Sequence, residues 1–238
     1  MLEISDGHYA HGAFMLDVSL RAKAGELAAV LGPSGAGKST LLNIVAGFEP
    51  LVQGRVMIDG TDVSSAPASR RPVSMVFQDN NVFPHLTLWQ NVALGIAPSL
   101  RLREAQSNTV DAALARVGLT KLCTRKPGDV SGGERQRVAL ARVLVRPTKV
   151  LLLDEPFAAL DPGLRKDMLA LVKELTSEKQ LATLLVSHQP EEIRTAADSV
   201  IFVAEGRVWP AAVPALFFAS REAVLASYLG RVANSTSA

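Results

Sequence analysis

Apolar and polar positions along the 238-residue chain follow two alternating periods. Short apolar runs bounded by turn residues read as strands. Ala13–Leu20 alternates loosely, Glu26–Leu31 is of the fully buried type, Gly54–Ile58 closes on Asp59-Gly60, and Val73–Phe77 is a further apolar run. Between them, Lys38–Phe48 sets Leu41, Leu42, Ile44 and Val45 on one helical face. From about Leu88 to Val145 the character changes, with Ala, Leu and Arg recurring at helical spacing in Glu104–Val117 and Glu134–Val145. Strand patterns return at Val150–Leu153, Leu181–Val186 and Ser199–Val203, separated by helix-like stretches. Strand-helix alternation interrupted by a helical block predicts an α/β fold: a mostly parallel sheet with helices on both faces, plus an inserted helical subdomain. The tail after Val232 is expected to fray.

Composition narrows the function. Hydrophobic residues make up 48% of the chain and charged residues 20%, the balance of a globular protein. The 25 basic and 23 acidic residues nearly cancel, so no global field draws nucleic acid, and no nucleic-acid partner is expected. Cys123 is the single cysteine, which excludes an internal disulfide and a cysteine-based zinc site. The opening Met-Leu-Glu-Ile-Ser-Asp lacks the basic and apolar regions of a signal peptide. No apolar run reaches the roughly 18 residues that a membrane helix needs. Any role at a membrane is therefore expected to run through a partner that spans it.

Three segments carry chemistry. Gly32-Pro33-Ser34-Gly35-Ala36-Gly37-Lys38-Ser39-Thr40 fits G-x-x-x-x-G-K-[ST] between a strand and a helix, the pattern of a phosphate-binding loop. Glycines let such a loop curl so that successive N–H groups face phosphate oxygens, and the following helix aims its positive end at the same place. Lys38 adds a full charge for the β- and γ-phosphates, and Ser39 a hydroxyl for Mg²⁺. ATP and Mg²⁺ are the expected ligands.

Val150–Leu153 ends in Asp154-Glu155. At a strand end beside the loop, Asp154 is placed to hold Mg²⁺ through its water shell, and Glu155 to accept a proton from an attacking water. Ser131-Gly132-Gly133 precedes a second helix with a hydroxyl and free N–H groups, again anion-binding chemistry; an ordinary capped helix start is the alternative. Two phosphate-binding helix starts against one acidic strand mean either two sites per chain or one site shared between chains.

The phosphate loop, the Ser131 segment and the acidic strand, in this order, resemble the nucleotide-binding subunits of ABC transporters over nearly the whole chain. That resemblance implies a P-loop NTPase, RecA-like fold with an N-terminal antiparallel β subdomain. It divides residues 1–238 into a core of about 1–87 and 146–238 and a helical subdomain of about 88–145. It also implies the shared arrangement, in which Ser131, Gly132 and Gly133 of one copy close over ATP held by the loop of a second copy.

Several single residues follow from the same resemblance. Tyr9 corresponds to the aromatic that stacks on adenine; Phe14 competes, but its place in an alternating strand suggests core. Gln78 corresponds to a glutamine that reaches Mg²⁺ and the attacking water. Ala159-Leu160-Asp161 corresponds to the segment touching the opposite subunit, and His188 to the histidine on the γ-phosphate. Glu155, His188, Gln78 and Lys38 are thus the expected catalytic set, and Ser39, Gln78 and Asp154 the metal set. Val130 and Glu134 depart from the commoner leucine and glutamine.

The implied partners are a second copy of the chain, an integral membrane permease docked against residues from Gln78 to about Asn91, and, indirectly, a periplasmic solute-binding protein. Phe83, Pro84, Leu86, Leu88 and Trp89 give the docking stretch its apolar character. The implied location is the cytoplasmic face of the bacterial inner membrane. Within the family, the segment from Phe77 to Thr87, with its paired Asn80 and Asn81, is similar to the ATPases of thiamine importers. Importers of other small solutes (iron, anions, polyamines) are the alternative, and transport-independent ABC ATPases a more distant one.

Overall fold

The computed structural model describes residues 1–77, 82–158, 160–220 and 222–235. The chain opens with an antiparallel hairpin, β1 (Leu2–His11) and β2 (Phe14–Ala22), followed by β3 (Leu27–Leu31), helix α1 (Lys38–Ala46), β4 (Gln53–Ile58), β5 (Thr61–Asp62) and β6 (Val73–Val76). The helical block is α2 (Leu88–Ala93), α3 (Glu104–Arg116) and α4 (Gly132–Val145). Then come β7 (Val150–Asp154), α5 (Pro162–Glu178), β8 (Ala182–Val186), α6 (Pro190–Ala196), β9 (Ser199–Ala204), β10 (Arg207–Val208), α7 (Pro214–Ala219) and α8 (Ala223–Ser235).

The strands form one sheet in the order β5-β4-β1-β2-β10-β9-β3-β8-β7-β6. Its β9-β3-β8-β7-β6 half is parallel throughout, and its β5-β4-β1-β2 half is antiparallel. This is the expected α/β architecture. The parallel strands read as unbroken apolar runs because both faces are covered. In β3, Ala28 and Val30 join the core under α1 with Leu41, Leu42 and Val45, while Leu27, Ala29 and Leu31 face Leu140, Val143, Leu169 and Val172 of α4 and α5. A separate apolar cluster joins Leu88, Val92, Val110, Leu114, Val138 and Ala141 within the helical block. Helix α4 belongs to both, with Val138 and Ala141 turned to the block and Ala139, Leu140 and Val143 turned to the sheet.

The sequence pattern does not announce β1. Its register shifts between Ile4 and Gly7, with Asp6 at φ 48°, so the inward set changes phase part-way along and the period-2 signal cancels. Helix α1 stops at Ala46 rather than Phe48 because Gly47 turns left-handed at φ 87°. Helix α4 begins at Gly132, ahead of the expected Glu134, capped by Ser131. Helices α7 and α8 were not legible, and α8 continues through Ser235 where fraying was expected; residues 236–238 lie outside the described residues.

Candidate active site

The loop of residues 32–40 leaves the buried end of β3 and enters α1 at Lys38. Gly32 is buried where a Cβ would stand 2.1 Å from the Val203 carbonyl oxygen, so only glycine fits. Gly37 turns at φ 103° directly before the helix, and a Cβ there would meet the Phe14 ring at 2.7 Å. No side chain caps α1 and no acid sits in its own first turn, so its positive end faces the loop uncapped. Pro33, Ser34 and Gly35 are exposed, and Ala36 and Gly37 half-buried.

Lys38 is buried to 6% exposure, and its ammonium donates to the carbonyl oxygens of Gly32 at 2.9 Å and Pro33 at 2.8 Å. Burial holds its pKa below the usual lysine value, with the nearby Glu155 and Asp154 carboxylates pulling the other way. Burial likewise raises the Asp154 carboxyl, opposed by a hydrogen bond from the Ser39 hydroxyl. Ser39 and Asp154 therefore meet at the loop's edge as two oxygen donors, a set suited to a hard cation such as Mg²⁺.

Glu155 follows β7 in the left-handed region at φ 46°, its N–H donating to Val186 O at 3.2 Å. A non-glycine residue held there is strained, and the strain turns the side chain out at the strand end. One of its carboxylate oxygens lies 2.6 Å from Nε2 of His188, two residues beyond β8. Phe14, Ser34, Gly35, Gly37, Lys38, Ser39, Thr40, Glu155 and His188 line one cleft of about 320 Å³, toward the lower end of the roughly 300–1,000 Å³ typical of small-molecule sites. A phosphate cradle thus shares a cleft with a paired acid and imidazole.

The ABC transporter family model matches residues 15–158, more than half of the chain and inclusive of the loop, the Ser131 segment and Glu155. This chain belongs to the ABC transporter family. It is 49% identical over 230 residues to the thiamine import ATP-binding protein of Ruegeria sp. strain TM1040, covering 97% of this chain and 100% of that one. It is 54% identical over 200 residues to the thiamine import ATP-binding protein of Mesorhizobium japonicum, covering 84% and 79%. Among solved structures it resembles the ADP conformation of an ATP-binding cassette of an ABC transporter, with a TM-score of 0.86 and 25% identity over 97% of this chain and 98% of that one. It also resembles a dimeric post-hydrolysis cassette bound to ADP and Pi, with a TM-score of 0.77 and 29% identity over 90% and 99%.

In this ABC family chain the two aromatic candidates are placed differently. Tyr9, expected to offer its face to adenine, is 5% exposed within the core, its hydroxyl donating to Glu49 at 3.1 Å. Phe14, expected in the core, lines the cleft, packed edge-on to Tyr9 with centroids 6.2 Å apart. The cause is position along the strands: Phe14 is the first residue of β2, beyond the covered part of the hairpin, whereas Tyr9 pairs with buried Leu16.

Ser131 accepts from Glu134 N at 3.3 Å, and Glu134 accepts from Ser131 N at 2.7 Å, a reciprocal cap. Ser131 and Gly132 are exposed, while Gly133 is buried where a Cβ would meet Leu164 at 2.5 Å. Ser131 is not among the residues lining the cleft of its own chain. Gln78 and Ala159, together with Asp79, Asn80 and Asn81, lie outside the described residues.

Beyond them, the expected docking stretch divides. Phe83 and Pro84 are exposed, whereas Leu88 is fully buried and Trp89 packs inside the helical block, its Nε1 donating to Asp111 at 2.7 Å. Fully buried Asn91 shapes this loop. Its amide oxygen accepts from Phe83 N at 2.8 Å, and its amide nitrogen donates to the carbonyls of Phe83, Leu86 and Thr87. Arg142 of α4 donates to Asn91 in turn and stands over the Phe83 ring. Sequence reasoning assigned Phe14 to the core and missed Asn91 and Arg142 as shaping residues, because their placement depends on neighbours distant in the chain.

Proposed function

We propose that this chain is the ATP-hydrolysing subunit of a bacterial importer that takes up thiamine, working as a pair of copies on the cytoplasmic side of the inner membrane. The observation that carries the reading is the single cleft uniting the loop at Lys38 with Glu155 and His188. Similarity to thiamine import ATP-binding proteins over 97% of the chain supports the solute. No helix among the described residues is long and apolar enough to cross a membrane, so passage of the solute falls to a permease. Exposed Phe83 and Pro84, presented by the loop that Asn91 and Arg142 hold, supply an apolar surface for that permease.

In turnover, the loop N–H groups and the positive end of α1 hold the triphosphate, and Lys38 balances its charge. Phe14 gives the purine an aromatic face at the mouth of the same cleft. The Ser39 hydroxyl and the Asp154 carboxylate, with Gln78, would hold Mg²⁺, which when bound would neutralise charge on the phosphate oxygens. Glu155 takes a proton from water as the water oxygen bonds to the γ-phosphorus. The bond from that phosphorus to the β–γ bridging oxygen breaks, releasing ADP and phosphate. His188 holds the Glu155 carboxylate in place from the neighbouring strand end.

Ser131 and Gly132 of the second copy complete the site. They are exposed at an α-helix start and absent from the cleft of their own chain. Residues of about 88–145 act as a unit in that closure, and their own apolar cluster supports this. The test is reconstitution with the permease in vesicles: thiamine-loaded binding protein raises ATP hydrolysis, and unloaded protein or one loaded with another solute does not. Stimulation by another solute, with none by thiamine, would reassign the cargo.

A further inference from the structure

The Glu155–His188 contact is made by two residues that lie just past paired strand ends, where the sheet no longer dictates direction. Asp154 is the last residue of β7 in register, opposite Val186. Glu155 then enters an irregular loop that leads to α5, and His188 enters a short turn that leads to α6. A cavity of about 70 Å³ adjoins the pair, bordered by Glu155, Phe157, Arg165, Ser187, His188 and Glu192. Space borders both residues on this side, so hydrogen bonds to the neighbouring segments bear on how the two are held.

One side chain supplies those bonds to both segments. Arg165, in the first turn of α5 and only 12% exposed, donates from Nε to Phe157 O at 3.2 Å and from one terminal nitrogen to Leu160 O at 2.7 Å. These carbonyls lie in the loop that follows Glu155, whose Phe157 and Leu160 side chains are themselves buried. The other terminal nitrogen donates to Glu192 Oε1 at 3.1 Å, in the first turn of the helix that follows His188. The rigid guanidinium fork thus fixes the loop behind Glu155 to the helix behind His188 with three directional bonds. A cation in the first turn of a helix opposes the helix dipole, so this placement needs a tertiary reason, and the fork provides it.

We infer that Arg165 is a positioning residue for the Glu155–His188 pair, acting with Glu192 to set the distance between the two segments. This rests on Glu155 and His188 being the groups that act in hydrolysis. It requires that loss of the link lower the rate of the chemical step while leaving nucleotide binding at the loop of residues 32–40 unchanged, since Arg165 is not among the residues lining that cleft.

The test is steady-state ATP hydrolysis by the full chain carrying Arg165→Met, Glu192→Ala, Glu192→Gln or the Arg165→Met/Glu192→Ala pair, with fluorescent-nucleotide binding and thermal melting run alongside. Arg165→Met lowers kcat about tenfold to a hundredfold, the scale expected when reacting groups shift by an ångström, and keeps KM and nucleotide affinity within about twofold. Glu192→Gln, which keeps the acceptor oxygen, retains kcat; Glu192→Ala lowers it; and the double variant is no slower than Arg165→Met alone.

A wild-type kcat in Arg165→Met, or a loss matched by an equal rise in KM, would overturn the inference. If Arg165→Met melts below the assay temperature, the two Glu192 variants decide, because the carbonyl contacts of Arg165 remain in both. A lower kcat in the alanine than in the glutamine variant supports the link, and equal rates overturn it. Glu155→Gln run in parallel separates the two levels: full turnover in that variant would instead remove the pair itself from the mechanism.

Discussion

Nε2 of His188 lies 2.6 Å from the Glu155 carboxylate, a contact that joins the ends of two adjacent parallel strands. Each side chain follows the last paired residue of its strand by one or two positions, so the sheet brings their backbones together and the loops aim their side chains. The carboxylate and the imidazole thus share one cleft with the loop that holds Lys38.

Glu155→Gln removes the proposed proton acceptor but keeps the side chain's size and an oxygen for hydrogen bonding. Turnover is expected to fall by roughly 10²–10⁴-fold, the usual worth of a general base, with ATP binding retained. ATP then holds two copies together, which size-exclusion chromatography reads as a nucleotide-dependent dimer. Undiminished hydrolysis would show that another group takes the proton.

Phe14 lines the cleft and Tyr9 does not. Phe14→Ala is expected to raise KM for ATP by about three- to tenfold, the range of a lost aromatic stack, with kcat little changed. Tyr9→Phe removes only the hydroxyl bonded to Glu49 and should leave KM unaltered. The reverse ranking in nucleotide titrations would return the adenine role to Tyr9.

Ser131 is exposed, and its own cleft does not include it. Ser131→Arg is therefore expected to abolish hydrolysis while each chain still binds nucleotide. Mixing this variant with Glu155→Gln should restore about one of the two sites in each mixed dimer, because one composite site then carries both intact segments. Normal turnover by Ser131→Arg alone would mean that each chain is complete in itself.

Glu134 caps α4, and hydrogen bonding from Ser131 holds its carboxyl below the ordinary glutamate value. A depressed folded-state pKa contributes stability that is present above the unfolded value and lost as pH falls through the folded one. That window lies below about pH 4.3. Glu134→Gln keeps the cap's acceptor oxygen without a titrating group. The melting temperature of the variant should drop less than that of the wild type between neutral pH and about pH 3.5. Identical acid slopes would show that the cap's charge does not contribute.

Much of this protein is fixed by contiguous chemistry. The loop from Gly32 to Thr40 is legible because its donors are successive backbone N–H groups, and Asp154-Glu155 because an apolar strand ends there. The parallel sheet is legible because only strands covered on both faces carry unbroken apolar runs. Strand β1 escaped because its bulge at Asp6 shifts the inward phase.

Tertiary structure alone decided which aromatic faces the cleft. Tyr9 and Phe14 differ not in chemistry but in how far along the hairpin the core extends. The same holds for Arg165, whose acceptors at Phe157, Leu160 and Glu192 come from two segments that only the parallel pairing of β7 with β8 brings within reach of one guanidinium. A sequence states which groups are available; the direction in which a side chain points at a strand end is set by whatever packs behind it, and those neighbours come from elsewhere in the chain.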